Sequence, residues 1–252
     1  MVKAIMHGCG GRMGSMITDI CAGDPDIGIV AGIDVKAIEG RAYPVFDDIS
    51  KCDVDADVII DCSQAGAADA LIDYVNKKNI PVVICTTGLS EEQLKNVEEI
   101  SKKTAVLRSA NMSLGVNILL NLLKTAAASF MPAGFDAEIV EKHHNQKLDA
   151  PSGTALALAD AINSAADNKY SYNFDRSKER KKREKYEIGI SAVRGGNIVG
   201  EHEIFFCGLD EVVELKHTAY SRAVLAKGAV EAGKFLAGKP AGMYDMQDVI
   251  KG

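Results

Sequence analysis

The 252-residue sequence lacks several features that would each define a class of protein. Its six cysteines form no C-x-x-C pair and no cluster with histidine at zinc-ligand spacing, so neither a disulfide framework nor a structural metal site is expected. Basic residues are not in excess: Lys and Arg total 29 against 35 Asp and Glu, a net charge of −6. A nucleic-acid partner would need a basic face to neutralise phosphates, so none is expected. No apolar run is long enough to span a bilayer. The short apolar start, Met1 to Met6, is cut off by Gly8 and Arg12 and does not read as a secretory leader. Most cysteines sit in apolar strand or helix patterns, as reduced thiols do, and the expected compartment is a reducing cytoplasm. No internal repeat is visible, and the length allows one large domain or two modest ones.

Histidine is also scarce. There are five, and two of them, His143 and His144, are adjacent in Glu141-Lys-His-His-Asn-Gln-Lys-Leu-Asp-Ala-Pro-Ser-Gly-Thr154. Residues 135–143 before this run alternate like a strand, and 155–162 after it read as a helix. The run is therefore a strand-to-helix loop. Its end, Ser152-Gly153-Thr154, supplies the unpaired N–H groups of a helix start, which attract carboxylate or phosphate. Lys147 adds a cation. A proton carrier, a cation and an anion-binding helix end in one loop suit a small acidic substrate. Each part also has an ordinary explanation. Adjacent strand residues point to opposite faces, so only one histidine is expected to face a site. A Ser or Thr before a helix is often just its cap.

The beginning of the chain supplies a second centre. A strand over 2–6 runs into His7-Gly8-Cys9-Gly10-Gly11-Arg12-Met13-Gly14 and then a helix. Strand, glycine turn and helix open a dinucleotide-binding unit, because glycines let the backbone approach a pyrophosphate. Gly8 and Gly10 fit G-x-G-x-x-G but Met13 takes its third place, and Gly8-x-x-Gly11-x-x-Gly14 fits better. A glycine run alone is a weak signal. Asp34 strengthens it, ending a second strand at 29–34, 20 positions after Gly14, where an acid would bind the adenosine ribose 2′-OH. That favours NADH. Lys36 and Arg12 could offset a 2′-phosphate, so NADPH stays open.

Strands at 57–62, 80–85 and 105–107 alternate with helices at 65–79 and 90–103, the latter opened by a Ser90/Gln93 capping box. This predicts an α/β chain: a Rossmann-like, doubly wound parallel sheet over 1–112, completed by 220–252, whose loops include Thr86-Thr87-Gly88 and Ser109-Ala110-Asn111-Met112. An apolar helix from 115 follows. Residues 113–219 are expected to form a second, α+β domain on a mostly antiparallel open sheet. Its strands are 135–143, 186–194, 199–207 and 212–219, with hairpins at 195–197 and 208–210. The charged run 175–185 reads as a solvated, mobile loop. Hinges are expected near 112–115 and 220–222.

With these residues in view, the chain resembles the 4-hydroxy-tetrahydrodipicolinate (dihydrodipicolinate) reductases of bacterial lysine and diaminopimelate synthesis. The resemblance rests on Gly8-x-x-Gly11-Arg12-Met13-Gly14, Thr86-Thr87-Gly88, the segment from Ala110 to Asn117, the Glu141 to Thr154 loop, and Arg194-Gly-Gly-Asn-Ile-Val-Gly-Glu-His202. It implies reduction of a small dicarboxylate cyclic imine by NADH or NADPH, and a homotetramer built through the second domain. Carried over by position, His143 matches the family's acid/base and Lys147 its proton donor. His144, Ser152, Gly153 and Thr154 match substrate positions. Gly8, Cys9, Gly10, Gly11, Arg12, Met13, Asp34, Lys36, Cys85, Thr86, Thr87, Gly88, Ser109, Ala110, Asn111 and Met112 match cofactor positions. Three other readings remain: a nicotinamide dehydrogenase for an amino or keto acid, a non-catalytic NADH sensor that needs no proton donor, and a metal hydrolase on His143 and His144. The last lacks a third ligand, and adjacent strand histidines do not converge.

Overall fold

The computed structural model describes residues 1–36, 38–178 and 180–252. The chain runs β1 (Val2–His7), α1 (Arg12–Ala22), β2 (Ile27–Ile33), β3 (Val45–Phe46), β4 (Val58–Asp61), α2 (Ala68–Lys78), β5 (Val82–Ile84), α3 (Glu91–Ser101), β6 (Ala105–Arg108), α4 (Leu114–Phe130), β7 (Asp136–His143), α5 (Gly153–Ala165), β8 (Ser171–Asn173), β9 (Glu187–Arg194), β10 (Gly200–Cys207), β11 (Val212–Ala219), α6 (Ala223–Leu236), β12 (Gly242–Tyr244) and α7 (Met246–Lys251). It divides into two compact units, Met1–Leu114 with Ala223–Gly252, and Gly115–Arg222.

The first unit is built on a seven-stranded sheet of order β12-β6-β5-β4-β1-β2-β3. Every ladder in it is parallel. Such strands need apolar residues on both faces, and β4 is buried along its whole length. Ile60 faces the core beneath α1 and α6, whereas Ile59 faces the core beneath α2 and α3. The strand order reverses between β1 and β4, the switch point where such sheets bind ligands at their carboxyl ends. The Ser90 capping box is present: Gln93 N–H donates to Ser90 Oγ at 3.1 Å, and Ser90 N–H donates to Gln93 Oε1 at 3.0 Å. The short elements β3, β12 and α7 were not expected. Two- and three-residue strands carry too few side chains to show a period.

The second unit is a five-stranded sheet of order β11-β10-β7-β9-β8. Its β7 alternates strictly, and Ala137 and Ile139 pack with Leu158 and Ile162 of α5 and Leu119 and Leu123 of α4. The sheet is mixed rather than mostly antiparallel. β10 pairs antiparallel with β7 and β11, but β9 pairs parallel with β7 and β8. The expected hairpin at 195–197 therefore does not form. That turn carries the chain across β7, which separates β9 from β10, while the β10–β11 hairpin does form. A glycine-rich turn permits a reversal, but the partner of each strand is decided by which faces bury apolar surface.

Among its described residues the charged run is solvated as expected, all but Arg183 being exposed, and its Glu179 lies outside them; two of its arginines nevertheless reach the sheet. Arg183 donates to Glu138 (3.1 Å), Asp136 (2.8 Å) and the Ala137 carbonyl (3.1 Å) on β7, and also to the Glu187 carbonyl. Arg176 pairs with Glu138 and with the buried Glu187. These two arginines tie the segment to the sheet.

Candidate active site

In the first unit, the glycine turn after β1 is shaped by close approach. Gly8 has φ +83°, and a Cβ there would lie 2.8 Å from the Cys62 carbonyl oxygen. A Cβ on Gly14 would overlap the Gly8 carbonyl oxygen. Gly11 is the N-cap of α1, with no side-chain cap and no acid in the first turn. By contrast, α3 and α5 are capped by Ser90 and Ser152. The start of α1 thus offers N–H donors and a partial positive charge to an external anion. Next to it lies a cavity of about 550 Å³ lined by Gly8, Gly11, Asp34, Ser63 and Gly66 among others. An exposed glycine rim, an uncapped helix end and an acid at the far side suit the pyrophosphate and ribose of a nicotinamide dinucleotide.

Asp34 is engaged with the glycine turn itself. It accepts Gly10 N–H at 2.9 Å on Oδ2 and Lys36 N–H at 3.1 Å on Oδ1. Arg12 and Lys36 are exposed. Sequence reading missed Arg41, which donates to the Cys9 carbonyl (3.0 Å) and Ser15 Oγ (2.9 Å) and lines a second cavity of about 590 Å³ with Asp34 and Lys36. No local pattern marks it, since its partners are 32 and 26 positions away. The side chains of Cys9 and Met112 are buried in the core, and Met13 and Cys85 pack partly against it. What these four offer a cofactor is mainly backbone. Thr86 is buried and Thr87 exposed, Gly88 has φ +75°, and Asn111 Oδ1 accepts Ser113 N–H at 2.8 Å. Ser109 is half-buried and Ala110 exposed.

In the second unit, β7 carries Glu141 and His143 on its buried face, the same face as Ala137 and Ile139. His143 is buried to 9% exposure, and its Nδ1 lies 2.6 Å from Glu141 Oε2. Burial lowers its affinity for a proton; Glu141 works against this, and the net shift is downward. His144 lies past the strand end, half-buried, and its carbonyl accepts Lys147 N–H at 3.2 Å. Lys147 Nζ is 2.8 Å from Asp149 Oδ1. Lys147, with a smaller contribution from the Gly153 N–H, holds the Asp149 carboxyl below the usual range. Ser152 caps α5 by accepting Ala155 N–H at 3.1 Å, Gly153 is exposed and Thr154 half-buried. His143, Lys147 and the first turn of α5 are thus brought together at one end of the sheet.

Three more residues join this group that sequence reading did not assign to the site. Glu141 is fully buried, Arg194 pairs with it, and His202 on β10 is buried with Nε2 3.2 Å from Ser152 Oγ. His202 lies opposite Glu141 on one side and His217 on the other. Its ring is 5.2 Å from that of His143. Burial, then the neighbouring His143 and His217, push its pKa down to about 4, so it is neutral near pH 7. Glu141 and Arg194 were visible as motif letters, but their pairing spans 53 positions. Among the described residues no group of three or more His, Cys, Asp or Glu could hold a metal ion, and no helix is long and apolar enough to cross a membrane.

Comparison with known proteins covers nearly the whole chain. Residues 2–112 match the family model "Dihydrodipicolinate reductase, N-terminus", and 115–250 match "Dihydrodipicolinate reductase, C-terminus". A 4-hydroxy-tetrahydrodipicolinate reductase of Clostridium novyi (strain NT) is 51% identical over 251 residues, covering 100% of this chain and 99% of the relative. One from Caldanaerobacter subterraneus subsp. tengcongensis is 49% identical with the same coverage. Among solved structures, a dipicolinate-bound dihydrodipicolinate reductase from Paenisporosarcina sp. TG-14 shares the fold at TM-score 0.81 and 24% identity, covering 97% of each chain.

Proposed function

The chain belongs to the dihydrodipicolinate reductase family, and from that premise we propose how its own residues carry the reaction. It is an NAD(P)H-dependent reductase that converts 4-hydroxy-tetrahydrodipicolinate to tetrahydrodipicolinate in lysine and diaminopimelate synthesis. The net change is uptake of a hydride and a proton with loss of water. The nicotinamide cofactor, when bound, supplies the hydride.

The protein's work is to bind a dicarboxylate, orient it and manage the proton. His143 is the acid/base and Lys147 the cation that binds a carboxylate and donates a proton. The observation that carries this is the convergence of His143, Lys147 and the first turn of α5 in one loop. The Gly153 and Thr154 amides, with the Thr154 hydroxyl, hold a substrate carboxylate, and Ser152 and His144 complete the seat. For that, Lys147 exchanges Asp149 for the substrate. The start of α1 takes the cofactor pyrophosphate, and Asp34 takes the adenosine ribose. The segments at 85–88 and 109–112 complete the cofactor site.

Two further expectations belong to the same reading. The chain acts as a homotetramer through the second unit, whose sheet exposes Val193 and Val212. Light scattering at about four times the chain mass is the expected result. It works in a reducing cytoplasm, in keeping with six free cysteines.

The direct test is absorbance-monitored oxidation of NADH and of NADPH, with substrate made in situ from pyruvate and aspartate semialdehyde by the preceding synthase. Synthase-dependent oxidation is expected, and the ratio of the two coenzymes reports what Asp34, Lys36 and Arg41 select. Cofactor binding with no synthase-dependent oxidation would overturn the assignment.

A further inference from the structure

Two charged side chains of the second unit, Glu141 and Arg194, have no role in the chemistry above, yet they are paired with each other and with several neighbours. Glu141 is completely buried. Its Oε1 accepts Arg194 Nη2–H (2.6 Å) and Ser152 N–H (3.0 Å). Its Oε2 accepts Arg194 Nη1–H (2.7 Å) and lies 2.6 Å from His143 Nδ1. Arg194 also donates to the Asp149 carbonyl (2.6 Å) and to the Val193 carbonyl (2.8 Å). A lone buried carboxylate would be costly, and the two-pronged guanidinium offsets most of that cost.

Arg194 and Ser152 alone would neutralise Glu141 and satisfy most of its lone pairs. The fourth partner has chemical consequences. Burial pushes the Glu141 carboxyl up, but Arg194, His143 and the Ser152 N–H outweigh it and hold the group below the usual range. An ionised carboxylate can only accept hydrogen bonds. The hydrogen between Glu141 and His143 must therefore sit on Nδ1, which leaves Nε2 as the atom that takes or gives a proton. Nε2 faces Gly200, where an added Cβ would lie 3.1 Å away. The missing side chain keeps that nitrogen uncrowded.

We propose that Glu141 and Arg194 are positioning residues for the proton carrier: the Arg194-locked carboxylate holds the His143 imidazole with its hydrogen on Nδ1, reserves Nε2 for proton exchange, and through Ser152 N–H fixes the start of α5 relative to that ring. This rests on His143 being the acid/base. One buried carboxylate thereby sets the spacing between the proton carrier and the anion-binding helix end. The other groups that face the ring are Lys147 and Arg194, which lower its proton affinity, and the neutral His202. With Glu141 neutralised, only disfavouring charges would remain.

The test begins with the wild-type enzyme. Two-bond ¹⁵N–¹H spectra of the histidine rings, assigned by loss of signals in His143→Ala, should show His143 as the Nδ1–H tautomer above its titration. An Nε2–H tautomer would overturn the pairing. In Glu141→Gln, the His143 titration and the matching inflection in the kcat/KM profile should both move to lower pH. Its kcat should fall about 10²-fold, with KM for NADH unchanged. Arg194→Lys keeps the charge, loses the two-pronged contact, and should lie between the two. A Glu141→Gln enzyme that loses kcat with the tautomer and inflection unmoved would make Glu141 purely structural and end the proposal. If that variant does not fold with Arg194 unpaired, the wild-type tautomer decides alone. Full turnover in His143→Ala would instead sink the assignment of His143 itself, an outcome distinct from a wrong tautomer.

Discussion

The two units build the helix start proposed to bind an anion in opposite ways. In the first, α1 begins without a side-chain cap, and its surroundings are glycine backbone. In the second, α5 begins with a Ser152 cap, and its surroundings are buried charges already paired with one another. One site is made by removing side chains, so its weakness is steric. The other is made by adding ionisable side chains to a protein interior, so its weakness is electrostatic and depends on pH. A cofactor that brings its own chemistry needs only shape and dipoles. A substrate that must receive a proton needs titratable groups held in fixed states.

Substitutions can break this contrast, and the largest effects are expected at the second site. His143→Ala and Lys147→Ala should each lose about 10²–10⁴-fold in kcat, while NADH titration and far-UV circular dichroism stay as in wild type. Loss of NADH binding in either variant would show that the two sites are not separable in this way.

A pH effect comes next. Unfolded, His202 takes a proton near pH 6.5; folded, near pH 4. Between those values the unfolded state binds more protons, so stability is full above the upper value and falls as pH falls. Denaturant titrations should lose about 2 kcal/mol from this residue between pH 7 and pH 5, a range above most carboxylate titrations. His143 and His217 are shifted the same way and add to the loss. His202→Gln should flatten the profile by about that amount, and an unchanged profile would mean that His202 is hydrated and charged.

Gly14→Ala tests the steric side. Its methyl group meets the Gly8 carbonyl, so the turn must shift. Overpacking of this kind costs about 1–3 kcal/mol, and affinity for NADH should fall on the order of tenfold or more. The loss should be insensitive to pH between 5 and 8. The smallest effect is reserved for a cap in neither site. Ser90→Ala removes one half of the α3 capping box and should lower stability by about 1 kcal/mol with kcat unaltered. A larger loss of activity there would mean that α3 is coupled to cofactor binding.

Much of this was legible before folding, but unevenly. The alternation of 135–143 put His143 and Glu141 on one face and Lys142 on the other, and β7 does so. The Ser90 to Gln93 spacing announced a capping box that forms, and Gly8, Gly11 and Gly14 marked a turn where two of them are sterically required. The misses share a cause. Gly195-Gly196-Asn197 looked like a hairpin, but β9 and β10 are held apart by β7. The run 175–185 is solvated, as it looked, but Arg176 and Arg183 also reach charges on β7 and β9. Neither outcome depends on neighbours in sequence.

What the sequence by itself determined is local: the strand and helix periods, the caps, the glycine turns, and the loop from Glu141 to Thr154 to which the proton chemistry is assigned by proposal. These follow from backbone sterics and side-chain direction, which act within a few residues. Tertiary structure alone decided that Arg194 meets Glu141 across 53 positions, that Arg41 braces the glycine turn, and that His202 is buried beside His143. A buried charge must find its counter-charge wherever the strand order brings one, because leaving it unpaired in a low-dielectric interior costs more than the fold can spare. That order is set by apolar burial over the whole sheet, and no short stretch of sequence contains it.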